Sequence, residues 1–349
     1  MKKLKSFKWI PLMVIFVIIA GSCLQAAGRK STLQLGWVFQ GEWVGYLVGV
    51  SKGYYTEEGI NLTVLPGGPD LQPVRMVVSG DIEFGTAWPS AVMSIRAQGV
   101  PIVLIYQGPQ DSVMVYIAKK GRGITELADI MGKTFGVWVG FVDFEAKAML
   151  SKANLDPNNV EWYPQKFSMV EFYENRIDVA SATTHNELHI VLDAGYSLND
   201  LTVFRASDVG ANLIADGIIV SEDLIKEEPD LIQGFVNATA RGWKYACMNP
   251  EEATDIILDW APDLNRRKQL IQTVETCMLH VSHGAEKHGF GYLDFDDIER
   301  VQQILLDTGQ LKAPIDLGPA ITNKFWKNIP NNYKSVPDGL RTKLEETLP

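Results

Sequence analysis

From residue 33 onward the chain alternates short apolar runs with amphipathic stretches of helical length, and glycines punctuate the joins. Residues 33–39 read as a strand. Residues 43–52 read as a helix, because Trp43, Tyr46, Leu47 and Val50 share one face and Gly53 stops it. A strand over 60–65 is broken by Gly67-Gly68-Pro69. A short helix over 74–79 ends at Gly80, and a strand over 82–84, a helix over 91–98 and a strand over 102–106 follow. A second series starts after 119–123. Thr125 can cap a helix to Met131, strands fall at 134–138, 160–163, 177–181 and 201–205, and helices at 144–153, 169–175 and 186–193. After a strand at 217–220, with Ser221 opening a helix, the chain turns mainly helical over 230–248, 250–260, 265–280 and 295–307. Alternation at this spacing builds right-handed crossover units, so the expected class is α/β with mostly parallel sheets.

The order of elements suggests two lobes. Residues 33–118 and 215–349 form lobe I, and 119–214 form lobe II as an insert. The chain crosses between them twice, near 118–121 and 209–216, which makes a hinge. Ligands in such folds sit outside strand C-terminal ends, where backbone amides and helix N-termini face a crevice. A hinge lets the lobes close on the ligand.

Residues 1–22 stand apart from this body. Lys2, Lys3, Lys5 and Lys8 precede an apolar run over 10–20, and Gly21-Ser22-Cys23 follows, the layout of a secretory signal peptide. The run is too short for a bilayer core, which needs about 20 residues. Small residues before Cys23 resemble a bacterial lipobox, although Ala20 departs from its usual Leu. Cys23 is therefore the expected lipidation site, with 23–32 as linker; a cut near Ala26 or Ala27 is the alternative. Losing the four lysines takes the net charge from −10 to −14, which argues against nucleic acid. Cys247 and Cys277 could pair or stay as buried thiols.

Aromatic residues gather at the strand ends. Trp37, Phe39, Trp43, Tyr46, Trp88 and Trp138 could line the crevice and stack on a flat ring, or each could belong to a core. Polar candidates share those loops: Gln40, Asp70 and Gln107 on lobe I, then Gln165, Thr183, Asn186, Glu187 and Asp208. Amides and carboxylates can read the edge of a heterocycle. Asp70 can instead cap a helix, Gln107 can satisfy a turn, and Glu187 can favour a helix dipole. His185 and His189 share a helix face with no third ligand near in sequence, and His280, His283 and His288 cluster in a polar loop that reads as solvated surface or a single ligand contact, so no metal or cofactor is expected. No nucleophile elbow, phosphate loop or zinc-protease helix occurs.

Four segments in order carry a family resemblance. Lys52-Gly53-Tyr54-Tyr55-Thr56-Glu57-Glu58-Gly59-Ile60, Ser79-Gly80-Asp81-Ile82-Glu83-Phe84-Gly85, Gly132-Lys133-Thr134-Phe135-Gly136-Val137 and Asn249-Pro250-Glu251-Glu252-Ala253 resemble segments of the sulfonate, nitrate and thiamine-precursor class of importer-binding proteins. Pro66-Gly67-Gly68-Pro69-Asp70, Gly136-Val137-Trp138, Pro164-Gln165-Lys166-Phe167 and Asn186-Glu187-Leu188 are similar to members assigned to riboflavin or thiamine-pyrimidine uptake. Phe141 and Val142 stand where the family often has glycine or Asn, and His185 where it often has Tyr.

The resemblance implies a type II periplasmic-binding-protein fold and a monomeric solute-binding lipoprotein, secreted across the inner membrane and lipid-anchored on a periplasmic or extracytoplasmic face. Its implied partners are a small planar heterocycle and the permease and ATPase subunits of an ABC importer. A nitrate, sulfonate or taurine binder is the alternative, but the named loops carry few Arg or Lys to hold an anion. A thiamine-pyrimidine synthase-like enzyme shares the fold, but its cysteine-rich segment has no counterpart here.

Overall fold

A computed structural model describes residues 28–69, 71–139 and 143–348. The signal segment, Cys23, Asp70, Phe141 and Val142 lie outside the described residues.

Ten strands form two sheets of five. The first holds β1 (Arg29–Gln34), β2 (Ile60–Leu65), β3 (Phe84–Ala87), β4 (Ile102–Gln107) and β10 (Gly217–Ser221), in the order β2-β1-β3-β10-β4. The second holds β5 (Met114–Lys119), β6 (Thr134–Val137), β7 (Glu161–Pro164), β8 (Val179–Thr183) and β9 (Leu201–Phe204), in the order β7-β6-β8-β5-β9. Strand β1 runs parallel to β2 and β3, and β6 runs parallel to β7 and β8.

Four strands of each sheet run the same way, as expected, and one is reversed: β10 is antiparallel to β3 and β4, and β5 to β8 and β9. The reason is topological. Each of these strands enters its sheet straight from a crossing, at the edge where its neighbours end, and so must run the other way. One expectation needs correction: the strand at 114–119 belongs to the second sheet, which moves the first crossing from 118–121 back to 108–113. Nothing in an apolar run states which sheet will take it.

Both crossings are held by buried side chains. The Gln107 amide donates to the carbonyls of Pro109 and Ala215, both at 2.7 Å, and so ties one crossing to the other. Glu145, fully buried on the helix Asp143–Lys152, accepts from the backbone N–H of Leu213 at 3.0 Å. The helix Phe295–Asp307 packs on Pro89–Arg96 of the first lobe and on Asp143–Lys152 of the second, so one apolar layer spans the hinge.

The helices begin where short polar residues can cap them. Ser221 accepts from Leu224 N–H at 3.1 Å, and Asn265 accepts from Lys268 N–H at 3.0 Å. The expected Thr125 cap is replaced by a box of Glu126 and Asp129 on the short turn Leu127–Ile130. In the first lobe, the helix Val44–Ser51 crosses Pro229–Met248 backbone to backbone. A Cβ on Gly242 would lie 2.2 Å from the Gly45 carbonyl oxygen, and a Cβ on Gly45 would lie 2.2 Å from Trp243. Only glycine permits that approach. It seats Trp243 edge-on against Tyr46, with ring centres 5.5 Å apart.

Cys247 and Cys277 form a disulfide between Pro229–Met248 and Arg266–His280, 30 residues apart in sequence. Closing a loop of that length stabilises the fold by about 3–4 kcal/mol on the chain-entropy account. Urea unfolding of the Cys247→Ser, Cys277→Ser double variant is expected to show a loss of that size. A loss under about 1 kcal/mol would mean that the bond constrains little that packing does not.

Candidate functional site

Three segments of the first lobe converge just beyond its sheet. The Gly36 N–H donates to Thr86 Oγ1 at 2.8 Å. A Cβ at Gly36 would lie 3.3 Å from Thr86 Oγ1, 3.8 Å from Asp216 Oδ1 and 4.0 Å from Trp43 Cη2. The missing side chain thus leaves room between the end of β1, β3 and the return crossing. Asp216 accepts from the Trp88 indole. Next comes the turn Gly41–Trp43, whose Gly41 N–H donates to Gln269 at 2.7 Å and Gln272 at 3.1 Å on the helix Arg266–His280. The Gln40 amide donates to Glu42 Oε2 at 2.7 Å.

These carboxyls are hard to ionise. Burial raises Glu42 to about 7, with Glu187 repulsion adding to it against the Gln40 hydrogen bond. Burial raises Asp216 to about 8, with Glu42 repulsion adding to it against the Trp88 hydrogen bond. Two further buried polar atoms, Trp43 Nε1 and His185 Nδ1, have no hydrogen-bond partner among the described residues.

The second lobe meets this edge directly. Phe167, 57% exposed, packs on Trp37 of the first lobe at 5.1 Å and on Trp138 of its own lobe at 5.4 Å between ring centres. The Trp138 indole donates to the Lys166 carbonyl at 3.3 Å. His185 Nε2 stands 3.9 Å from Glu42 Oε2, and burial lowers its pKa. Gln272 donates to Asn186 Oδ1 at 3.3 Å, His189 Nε2 lies 3.2 Å from Glu275 Oε1, and Arg267 donates to Asp193 at 2.9 Å. Apart from the two Trp138 contacts, each of these joins one lobe to the other.

The lobes are therefore shut. Between them a crevice lined by His185, Asn186, His189, Lys268, Ile271 and Gln272 has a volume of 10 Å³, room for about one water. A ligand of heterocycle size reaches these residues only when the hinge opens.

The residues expected at the site divide into groups. Trp37 and Trp138 come together through Phe167, and Gln40, Trp43 and Trp88 stand by the carboxyls. Tyr46, 1% exposed, lies in the first-lobe core, and Phe39 packs edge-on against Trp260. The amides of Gln107 and Gln165 are corrections. Gln107 bonds the crossings, and Gln165 bonds both the N–H and the carbonyl of Ser181, at 2.9 and 2.8 Å. Thr183 donates through its N–H and hydroxyl to Glu187 at 2.9 and 2.7 Å, and the Asn186 amide donates to Glu187 at 2.9 Å, so this trio braces the loop. Asp208 is exposed on the turn Ala206–Val209, on the return crossing. Among the described residues no three of His, Cys, Asp and Glu are placed to hold a metal.

The sequence reading passed over Glu42, Asp216, Gln272 and Phe167. A faint signal existed for the first two: each is a lone acid inside a glycine-flanked, otherwise apolar stretch, Gln40-Gly41-Glu42-Trp43 and Ala215-Asp216-Gly217-Ile218.

A family model described as NMT1/THI5 like matches residues 40–253, which include Gln40, Glu42, Trp43, Asp216 and the whole second lobe. The chain belongs to the NMT1/THI5-like family. Three curated relatives cover most of its length. The riboflavin-binding protein RibY of Chloroflexus aurantiacus is 28% identical over 307 residues, 85% of this chain and 86% of that protein. The formylaminopyrimidine-binding protein of Halalkalibacterium halodurans is 23% identical over 314 residues, 86% of this chain and 93% of that one. A 4-amino-5-hydroxymethyl-2-methylpyrimidine phosphate synthase of Legionella pneumophila is 26% identical over 252 residues, 71% and 78% of the two chains. The NMT1/THI5-like family thus includes both binding proteins and synthases. Among solved structures, the periplasmic aliphatic sulphonate binding protein SsuA of Escherichia coli superposes with a TM-score of 0.66 at 13% identity, over 84% of this chain and 92% of that one. That likeness shows a shared two-lobed periplasmic-binding-protein fold.

Two measurements follow from the site. Phe167→Ala removes the aromatic bridge without touching either core. It is expected to leave stability within about 0.5 kcal/mol of wild type and to enlarge the radius of gyration of the unliganded protein in X-ray scattering. An unchanged radius would place closure elsewhere. Glu42 and Asp216 hold their protons more tightly folded than unfolded, so their contribution is full below about pH 4 and is lost as pH rises through 7 to 8. Urea midpoints are expected to fall between pH 5.5 and 8.5, with a shallower fall in Glu42→Gln; equal slopes would contradict this.

Proposed function

We propose that this chain is the solute-binding component of an ABC importer and captures a small planar nitrogen heterocycle, riboflavin or a thiamine pyrimidine precursor, between its lobes. The observation that carries the proposal is the aromatic chain Trp37–Phe167–Trp138, which runs from one lobe to the other across the shut cleft. A flat ring could replace the Trp37–Phe167 contact and be stacked from both sides, which would favour the closed form over the open one. Relatives named for riboflavin and formylaminopyrimidine binding support this ligand class.

Relatives named as binding proteins support binding rather than catalysis, and the acids of the cleft are paired to an amide and an indole. A synthase reading is supported by relatives named as 4-amino-5-hydroxymethyl-2-methylpyrimidine phosphate synthases, that of Legionella pneumophila among them. Turnover or metal dependence would favour it. The disulfide fits an oxidising compartment outside the cytoplasm, in keeping with the basic and apolar N-terminal segment. In this reading Cys23 carries the lipid anchor, the folded body is a monomer, and the closed form docks on a permease served by a separate ATPase.

Tryptophan fluorescence titrated with riboflavin, 4-amino-5-hydroxymethyl-2-methylpyrimidine and taurine tests the ligand class. A saturable change is expected with one of the two heterocycles and none with taurine. A response to taurine alone would turn the reading to a sulfonate binder.

A further inference from the structure

We infer that Glu42 and Asp216 form an acceptor pair that admits uncharged or cationic ligands rich in N–H or O–H donors and turns away phosphorylated and sulfonated ones. The inference rests on the solute-binding reading above and narrows its ligand class.

Position comes first. Asp216 Oδ1 borders the space left by Gly36, together with Thr86 Oγ1 and the Trp43 ring. Glu42 Oε2 faces the second lobe, 3.9 Å from His185 Nε2. Glu42 thus stands where the lobes meet, and Asp216, on the return crossing, stands close enough to feel its charge. Two nearby side chains point independently to a missing guest. Trp43 is 2% exposed and His185 3% exposed, yet Trp43 Nε1 and His185 Nδ1 lack partners among the described residues. Trp43 Cη2, on the same long edge of the indole as Nε1, is the atom nearest the Gly36 space. A buried donor without an acceptor costs about 1–3 kcal/mol, a cost that a ligand acceptor would remove.

Charge then decides the class. The charged groups acting on Glu42 and Asp216 are one another and Glu187, while Gln40 and the Trp88 indole supply neutral donors. Tyr46 faces Asp216 from the core, and burial holds its phenol protonated. His185 and His280 are both kept neutral by burial, His280 pushed down to about 3. His189 lies further along the interface, beside Glu275. A phosphate or sulfonate would meet carboxyl oxygens with no cation among these groups; of the interface cations, Arg267 is paired with Asp193 and Lys268 lines the crevice beside His189 and Asp193. Amino, imino or hydroxyl groups would instead donate to the two carboxyls and favour their ionised form. Binding should therefore release protons at neutral pH, and affinity should rise from pH 6 to 8.

Four ligands test this by titration calorimetry at pH 7.5, in two buffers of different ionisation enthalpy: riboflavin, riboflavin 5′-phosphate, 4-amino-5-hydroxymethyl-2-methylpyrimidine and its phosphate. At least one neutral compound is expected to bind tenfold or more tightly than its own phosphate ester, with proton release. Glu42→Gln and Asp216→Asn are each expected to weaken the neutral ligand and to narrow the ratio at least threefold. Equal affinity for a neutral ligand and its ester, without proton exchange, would overturn the acceptor pair and leave the solute-binding reading standing. Failure of all four to bind a folded protein would remove both.

Discussion

Gln107 is a single side chain on which the two-lobed arrangement turns. Its amide bonds a carbonyl in each of the two crossings, so neither can move without the other. Both donors of that amide are used on backbone groups that a hinge segment would otherwise bury unpaired, which costs about 1–3 kcal/mol each. Strand β5 then leaves the clamp into the second sheet and β10 into the first, each one place in from an edge. The parts of the cleft are referred to this point. The return crossing supplies Asp216, and the first crossing delivers the second lobe that carries His185, Phe167 and Trp138.

The shut cleft is polar at one end and aromatic at the other. Its aromatic contacts are non-directional and tolerate a guest. Its polar contacts are directional and involve groups that burial keeps neutral: Glu42, Asp216 and His185. Neutral partners cost little to desolvate, so the lobes can meet without burying a net charge. The charged interlobe pair Arg267–Asp193 is half-exposed and adds little to affinity between the halves. Closure is thus held by weak contacts, as a capture device needs if ligand is to shift the balance.

The elements were legible and their destinations were not. Helical spacing and glycine stops placed Val44–Ser51, Pro229–Met248 and Phe295–Asp307 to within a residue or so, because amphipathic period is a local property. Strand β4 is buried at all six positions, so its sequence has no alternation to say which face meets the cleft. The same ambiguity hid the sheet to which β5 belongs. Trp37 and Trp138, expected at the crevice from strand-end position, meet through Phe167, whereas Tyr46, on the first helix, lies in the core. Burial against Trp243, nearly two hundred residues on, decides that, and no local pattern records it. Gln107 and Gln165 looked like ligand-reading amides because a side chain that satisfies backbone and one that awaits a guest have the same sequence.

The Cys247–Cys277 bond has a consequence beyond stability. It fastens Arg266–His280, the helix that presents Arg267, Gln272 and Glu275 to the opposite lobe, onto the long helix that crosses Val44–Ser51 at Gly45 and Gly242. The gripping surface is therefore riveted to the rigid floor of the first lobe. A chain whose thiols had not yet joined would carry that surface on a looser mount, so a firm grip would develop only after the thiols had met an oxidant.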